Sequence, residues 1–274
     1  MIIDSHAHYA HPRFDGEFSA LCLQDGEYAL CRTERDALIE EMKKAGIVGF
    51  IEPSIGFDAI EKQIELVEKH SDCMKLSLGV HPTRCINNKL SSRKTLKKYA
   101  LTHTPLAIGE TGLDYHYDKD WELKQKEYFH AQLSLSEKLS LPVIIHDREA
   151  HGDVFDIIKA HPRAFGIIHS CSESAEMVKE YAKLGWYISF SGVVTFKNAS
   201  KILESVKATP IDRLLVETDC PYLSPVPMRG KDNSSAYIHY TAEKIAEVIG
   251  IEYDQLVKIS TENAKRVFGL MEEQ

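Results

Sequence analysis

No stretch of the 274 residues approaches the roughly 18 consecutive apolar positions of a membrane span. The opening Met1-Ile2-Ile3-Asp4-Ser5-His6 also lacks the basic flank and long apolar segment of a secretion signal, so a cytoplasmic protein is expected. Positive charge is scarce: 33 Lys and Arg stand against 41 Asp and Glu, a formal net charge of −8. That balance excludes a protein that coats nucleic acid through a broad basic surface. Any nucleic-acid contact would be local, with bound divalent cations supplying part of the missing positive charge. Cys22, Cys31, Cys73, Cys85, Cys171 and Cys220 form no Cys-x-x-Cys pair, which argues against a redox dithiol or a structural zinc site. Free thiols in a reducing compartment are expected. Repeats, low-complexity tracts and linkers are missing as well, which leaves one domain as the default.

What is present suits a large core: 43% of residues are hydrophobic and 27% charged. Eight short β-rich runs recur, over Met1–Asp4, Ile47–Glu52, Lys75–Val80, Leu106–Gly109, Val143–His146, Gly166–His169, Trp186–Phe190 and Leu214–Glu217. Between them, Arg35–Lys44, Phe57–Lys69, Ser92–Leu101, Trp121–Leu139 and Ser174–Leu184 carry apolar residues at helical spacing. This alternation predicts an α/β protein, a single (β/α)8 TIM barrel. Tyr237–Leu270 reads as two further helices packed outside it. Tyr9–Thr33 shows no clear strand and reads as a long loop at the end of the barrel that carries the candidate site.

His6 and His8 are two apart at the end of an apolar run, so strand alternation aims both imidazoles at one point. Alone this is weak, because 13 histidines in a chain of this length give roughly 0.6 such pairs by chance. The reading strengthens because Glu110, His146, His169 and Asp219 close other apolar runs, and a closed barrel brings such ends together. A core-packing explanation of four histidines and two carboxylates at strand ends is poor, since buried polar groups need partners. A metal site is the better reading.

The chain resembles the TatD family of metal-dependent deoxyribonucleases in the amidohydrolase superfamily, from Met1 to about Leu270. The resemblance rests on Asp4-Ser5-His6-Ala7-His8, Gly79-Val80-His81-Pro82, Gly109-Glu110-Thr111-Gly112-Leu113-Asp114, Pro142-Val143-Ile144-Ile145-His146-Asp147-Arg148, Tyr187-Ile188-Ser189-Phe190-Ser191-Gly192 and Glu217-Thr218-Asp219-Cys220-Pro221-Tyr222-Leu223. Arg229-Gly230-Lys231 and Thr261-Glu262-Asn263-Ala264 add to it. It implies two divalent metal ions per chain, Mg2+, Mn2+ or Zn2+, one held by His6, His8, Glu110 and Asp219 and the other by Glu110, His146 and His169. Glu110 would bridge them, and Asp219 would take the proton of the attacking water. The implied reaction is two-metal hydrolysis of DNA phosphodiesters, on single strands or ends and with 3'-5' polarity, the metals sharing the task of activating water. Hydrolysis of another ester or amide, and a silent scaffold with protein partners, are the alternatives. After the sixth barrel strand the family usually has His-Cys-Phe-Ser-Gly, where this chain has His169-Ser170-Cys171-Ser172-Glu173.

Arg148, two residues past His146, is placed to grip a phosphate through two charge-assisted bonds. Arg229 and Lys231 are further phosphate contacts in a Pro-rich loop, and His81 takes a substrate role by family pattern. Tyr115, His116 and Tyr117 are weaker candidates for lining the cleft. His11, His70, His103, His130, His151, His161 and His239 have no matching partners and read as solvated or structural.

Overall fold

Strand β1 (Ile2–Asp4) pairs in parallel with β4 (Ile47–Pro53), and the order continues through β5 (Met74–Leu78), β6 (Ala107–Asp114), β7 (Val143–Arg148), β8 (Gly166–Ile168), β9 (Tyr187–Phe190) and β10 (Leu214–Val216). The computed structural model describes residues 1–24, 27–87, 92–116 and 121–270. All eight expected strands are present in the expected order, and helices lie between them, as a TIM barrel requires.

The seam between β10 and β1 closes through the chain just beyond the strands. Ala7 and Cys220 form a parallel bridge, Asp219 N donates to His6 O at 2.9 Å, and His8 N donates to Cys220 O at 2.8 Å. Asp4 clamps this seam from full burial: its carboxylate accepts from Thr218 N, Thr218 Oγ1 and Ser235 Oγ at 3.0, 2.6 and 2.6 Å. With His6 N at 3.3 Å these make four donors, which offset part of the loss of water around it.

Inside the barrel, Ile3, Ile51, Ala107, Ile144, Ile167, Tyr187 and Leu215 form one apolar layer, a residue from each of seven strands. Ala264, Val267 and Phe268 of the last helix, α9 (Tyr253–Phe268), join that layer and close the barrel's floor. The helix packs outside the strands, as expected, and its apolar last turn seats it against the barrel's lower end. Side chains two residues further along a strand share its face. His146, His169 and Glu217 therefore rise directly above Ile144, Ile167 and Leu215, at the opposite end from α9.

The outer layer contains α1 (Arg35–Lys44), α2 (Ile60–Lys69), α3 (Ser92–His103), α4 (Glu122–Leu139), α5 (His151–Lys159), α6 (Ala175–Lys183), α7 (Ser200–Ala208) and α8 (Ile238–Ile249). Helices α5 and α7, nine residues each, were not anticipated. The segment Tyr9–Thr33 is also not simply a loop. It folds into an antiparallel hairpin, β2 (Phe18–Gln24) with β3 (Glu27–Thr33), in which Phe18 and Ala20 alternate into the core. Cys31 on β3 is disulfide-bonded, which corrects the expectation of six free thiols; Cys73, Cys85, Cys171 and Cys220 are free and buried.

Candidate metal centre

Two local devices place Glu110. The register of β6 on β7 slips between Ile108 and Thr111, so Glu110 sits in an irregular stretch that re-aims its side chain. The neighbouring backbones must also approach closely. A Cβ on Gly79 would lie 2.5 Å from the Gly109 carbonyl carbon, and one on Gly112 would lie 1.9 Å from His146 O. The glycines of two sequence motifs thus serve to bring β5, β6 and β7 together around one carboxylate. Asp219 is positioned differently, by a left-handed backbone (φ 56°) just past β10.

Glu110 lies at the centre of the resulting cluster and is 3% exposed. Its Oε2 is 3.5 Å from His6 Nε2 and 3.6 Å from His8 Nε2. Its Oε1 is 3.0 Å from His146 Nδ1, 3.0 Å from His169 Nε2 and 3.4 Å from His81 Nε2. Asp219 Oδ1 completes the first group, 3.6 Å from His6 Nε2 and 3.4 Å from His8 Nε2. The two oxygens of one carboxylate therefore face two separate sets of nitrogens.

The donor set fits a pair of cations. His6 Nε2 and His8 Nε2 point at each other at 3.0 Å, close to the roughly 3.3 Å between two nitrogens on one tetrahedral zinc at about 2.0–2.1 Å each. Among the described residues, His6 Nδ1 and Glu217 Oε2 are also buried without hydrogen-bond partners. His6, His8 and Asp219 form one group of possible ligands, and Glu110 joins His6 with His169 and His81 with His146 in two others, so the structure brings all six expected ligands together.

Electrostatics follow the same layout. Burial favours a neutral Glu110, yet His81, His169 and His146 outweigh it and hold the carboxyl well below its usual range. Burial likewise opposes a charged His169, but Glu110 and Glu217 raise it well above the usual imidazole value. For His8, Asp219 and Glu110 overcome burial and raise the ring to about 9, whereas burial lowers His6 and His81. Asp219 is lowered, its burial outweighed by His8, His169 and His6.

Two participating carboxylates escaped the sequence reading. Glu217 Oε1 accepts from Ser170 N at 2.8 Å and lies 3.1 Å from His169 Nδ1. Asp114 Oδ2 lies 3.0 Å from His146 Nε2, while its backbone is held by both ends of the Gln125 amide. Each thus backs a histidine, the arrangement that fixes ring orientation at metal sites. Alternation from Leu215 could have found Glu217, and the Gly112-Leu113-Asp114 motif marked Asp114.

A cleft of about 570 Å³ opens over the centre, and Arg148, His81 and Arg84 line it with His8, His146, His169 and Asp219. His11, expected to be solvated or structural, also lines it, and its Nε2 lies 2.9 Å from the Tyr222 hydroxyl at the mouth. Arg229 and Lys231 are exposed and outside this lining; the Arg229 guanidinium sits 4.0 Å from the Phe196 ring centroid. Tyr115 donates to Asp153 at 2.7 Å and His116 lies 2.7 Å from Glu149, both away from the cleft lining. Tyr117 falls outside the described residues.

Comparison with known proteins gives the family. The family described as TatD related DNase matches residues 3–269. An uncharacterized metal-dependent hydrolase of Bacillus subtilis strain 168, YabD, is 39% identical over 270 residues, covering 98% of this chain and 99% of its own. Another uncharacterized metal-dependent hydrolase, YcfH of Escherichia coli strain K12, is 38% identical over 199 residues, covering 72% of this chain and 74% of its own. In three dimensions the chain resembles a TatD homologue of Escherichia coli K12, YjjV, with a TM-score of 0.86, 24% identity and 98% of both chains covered. A TatD family hydrolase of Entamoeba histolytica gives a TM-score of 0.81 at 22% identity over 97% of both chains. With a matched family over nearly its whole length and a clustered set of metal-type ligands, the chain belongs to the TatD-related DNase family and is a metal-dependent hydrolase.

Proposed function

We propose that the protein is a deoxyribonuclease that hydrolyses DNA phosphodiester bonds at single strands or strand ends, with 3'-5' polarity. The observation that carries this reading is the division of Glu110, with Oε2 toward His6 and His8 and Oε1 toward His146 and His169. Two divalent cations bound there would supply Lewis-acid charge to the phosphoryl oxygens and make water a stronger nucleophile. The chain's own residues supply the rest. Asp219 accepts the proton of the attacking water, its carboxyl being kept ionised by the surrounding imidazoles. Arg148 grips the phosphate from the cleft wall, and Arg84 adds a second cation to the same lining. His81, in contact with Glu110 and the cleft, orients the scissile group. A cleft of this size admits a strand end, and the positive charge near it is local, as the acidic net charge demands.

The test is cleavage of end-labelled single- and double-stranded DNA by wild type, His6→Ala and Glu110→Ala, after chelation and after re-addition of Mg2+, Mn2+ or Zn2+. Metal-dependent cleavage by the wild type, abolished in both folded variants, supports the reading and gives the polarity. A folded, metal-loaded wild type that leaves every DNA substrate intact would sink it and redirect the search to other esters and amides.

A further inference from the structure

A second convergence of metal-type ligands lies in the barrel wall, outside the centre just described. Successive strand residues point to opposite faces, so the Asp147 side chain leaves the interior that its neighbour His146 enters, while Asp147 still contributes to the lining of the cleft above. Its Oδ2 lies 3.1 Å from Nδ1 of His151, the first residue of α5, and Glu173 Oε1 lies 3.1 Å from the same nitrogen. The side chains of Asp147 and Glu173 are 3% and 2% exposed, while that of His151 is 40% exposed.

The remaining atoms of the cluster are held in place. Asp147 Oδ1 accepts from Ala150 N at 3.3 Å, Tyr181 donates to Glu173 Oε1 at 3.5 Å, and Ser205 Oγ donates to Glu173 O. Yet among the described residues Asp147 Oδ2 and His151 Nδ1 are buried atoms with no hydrogen-bond partner. An almost fully buried carboxylate oxygen thus faces an imidazole nitrogen and a second buried carboxylate without a hydrogen bond to either.

Removing two carboxylates from water costs several kcal/mol each unless their charge is matched. A single imidazolium matches only one. A divalent cation matches both, and it takes the neutral imidazole as a third ligand. We infer that Asp147, His151 and Glu173 form a separate Zn2+ site, with water entering along the exposed side of His151 to complete four-coordination. Imidazole plus carboxylate suits Zn2+, and three protein ligands plus water is a usual shell for it. The ion ties the end of β7, the start of α5 and the segment before α6 into one unit behind His146 and His169. It does not depend on which substrate the central site takes.

Zn2+ itself is the probe. Wild type, Glu173→Gln and His151→Ala are loaded with a small excess of Zn2+, gel-filtered into metal-free buffer and analysed for zinc per folded chain by mass spectrometry. Each variant is expected to carry one equivalent fewer than the wild type, and wild-type crystals to show a zinc-edge anomalous peak about 2.0–2.2 Å from the three ligand atoms. His151→Ala, a partly exposed position, serves if Glu173→Gln does not fold. Equal zinc counts in wild type and folded variants overturn the inference, and a peak seen only in crystals soaked at high Zn2+ counts as adventitious binding and overturns it too.

Discussion

Glu217 Oε1 lies 3.1 Å from Nδ1 of His169, on the far side of the ring from the Nε2 that faces Glu110 at 3.0 Å. The imidazole is held between two carboxylates, one of which can share a cation with it and one of which sets its tautomer and tilt. Replacement by glutamine keeps the size but removes the charge. Glu217→Gln is expected to weaken metal binding by about 10–100-fold while the barrel stays folded. Calorimetric titration with Mn2+ and Zn2+, paired with circular dichroism, checks this. An unchanged affinity would show that Ser170 N alone is what Glu217 serves.

Asp219 combines a left-handed backbone with a carboxylate 3.4 Å from His8 and 3.6 Å from His6. A ligand that also accepts a proton loses more in turnover than in metal content when made neutral. Asp219→Asn is therefore expected to retain nearly full metal loading and to lose about 10²–10⁴-fold in turnover. Metal analysis and single-turnover DNA cleavage on the same sample separate the two roles. Full loading with near-wild-type turnover would falsify the proton-accepting role.

Gly112 has no room for a side chain. Its backbone is at φ 141°, and an added Cβ would stand 1.9 Å from His146 O and 2.9 Å from His146 C. Those are backbone atoms of β7 and have little freedom to retreat. Gly112→Ala is expected to cost upwards of about 3 kcal/mol and to disturb the position of His146 as well. Gly152→Ala, where nothing lies within 4 Å of the new atom, is the control and should leave stability nearly unchanged. Denaturant melts of the two variants side by side decide it.

The barrel was legible because its interior strands are short apolar runs with a polar residue at the end, and that signal is local. Ile144 and His146, or Ile167 and His169, are two residues apart, so the layer and its ligand appear together in the sequence. The hairpin was obscured because Pro12 and Gly16 precede it and Cys31 and Arg32 interrupt the apolar pattern of β3. Helices α5 and α7 were missed although α6, equally nine residues long, was found; in α5 a glycine, Gly152, stands in the first turn and weakens the helical signal. Glu217 and Asp114 escaped for a different reason. Their role lies in the far side of a histidine ring contributed by another strand, a relation that only the closed barrel creates. Arg229 and Lys231 drew attention by their charge, their Pro-rich loop and a family-like stretch, and they stand exposed, outside the cleft lining.

Glu52 offers a test of how burial is balanced beside the centre. It is 1% exposed and accepts from Tyr9 N at 2.6 Å and Ala10 N at 3.2 Å, fixing the chain that leaves His8. Burial outweighs those bonds and the attraction of His8, so its carboxyl is raised to about 7 from 4.5. A folded value above the unfolded one means that the protonated form favours folding. The contribution is complete below pH 4.5 and is lost as pH rises through about 7. In metal-free protein, unfolding free energy should therefore fall across that window, with Glu52 supplying on the order of 2–3 kcal/mol of the change. Asp4, raised by burial to about 7, contributes in the same direction and is untouched in a Glu52 variant. Urea melts of chelated wild type and Glu52→Gln between pH 5 and pH 6.5 read the difference, a window that lies below the rise of His8 to about 9. Glu52→Gln loses one backbone acceptor and starts about 1 kcal/mol lower, but its stability should fall less steeply with pH. Parallel slopes in the two proteins would mean that Glu52 stays ionised throughout, held by Tyr9 N, Ala10 N and His8 more firmly than burial opposes.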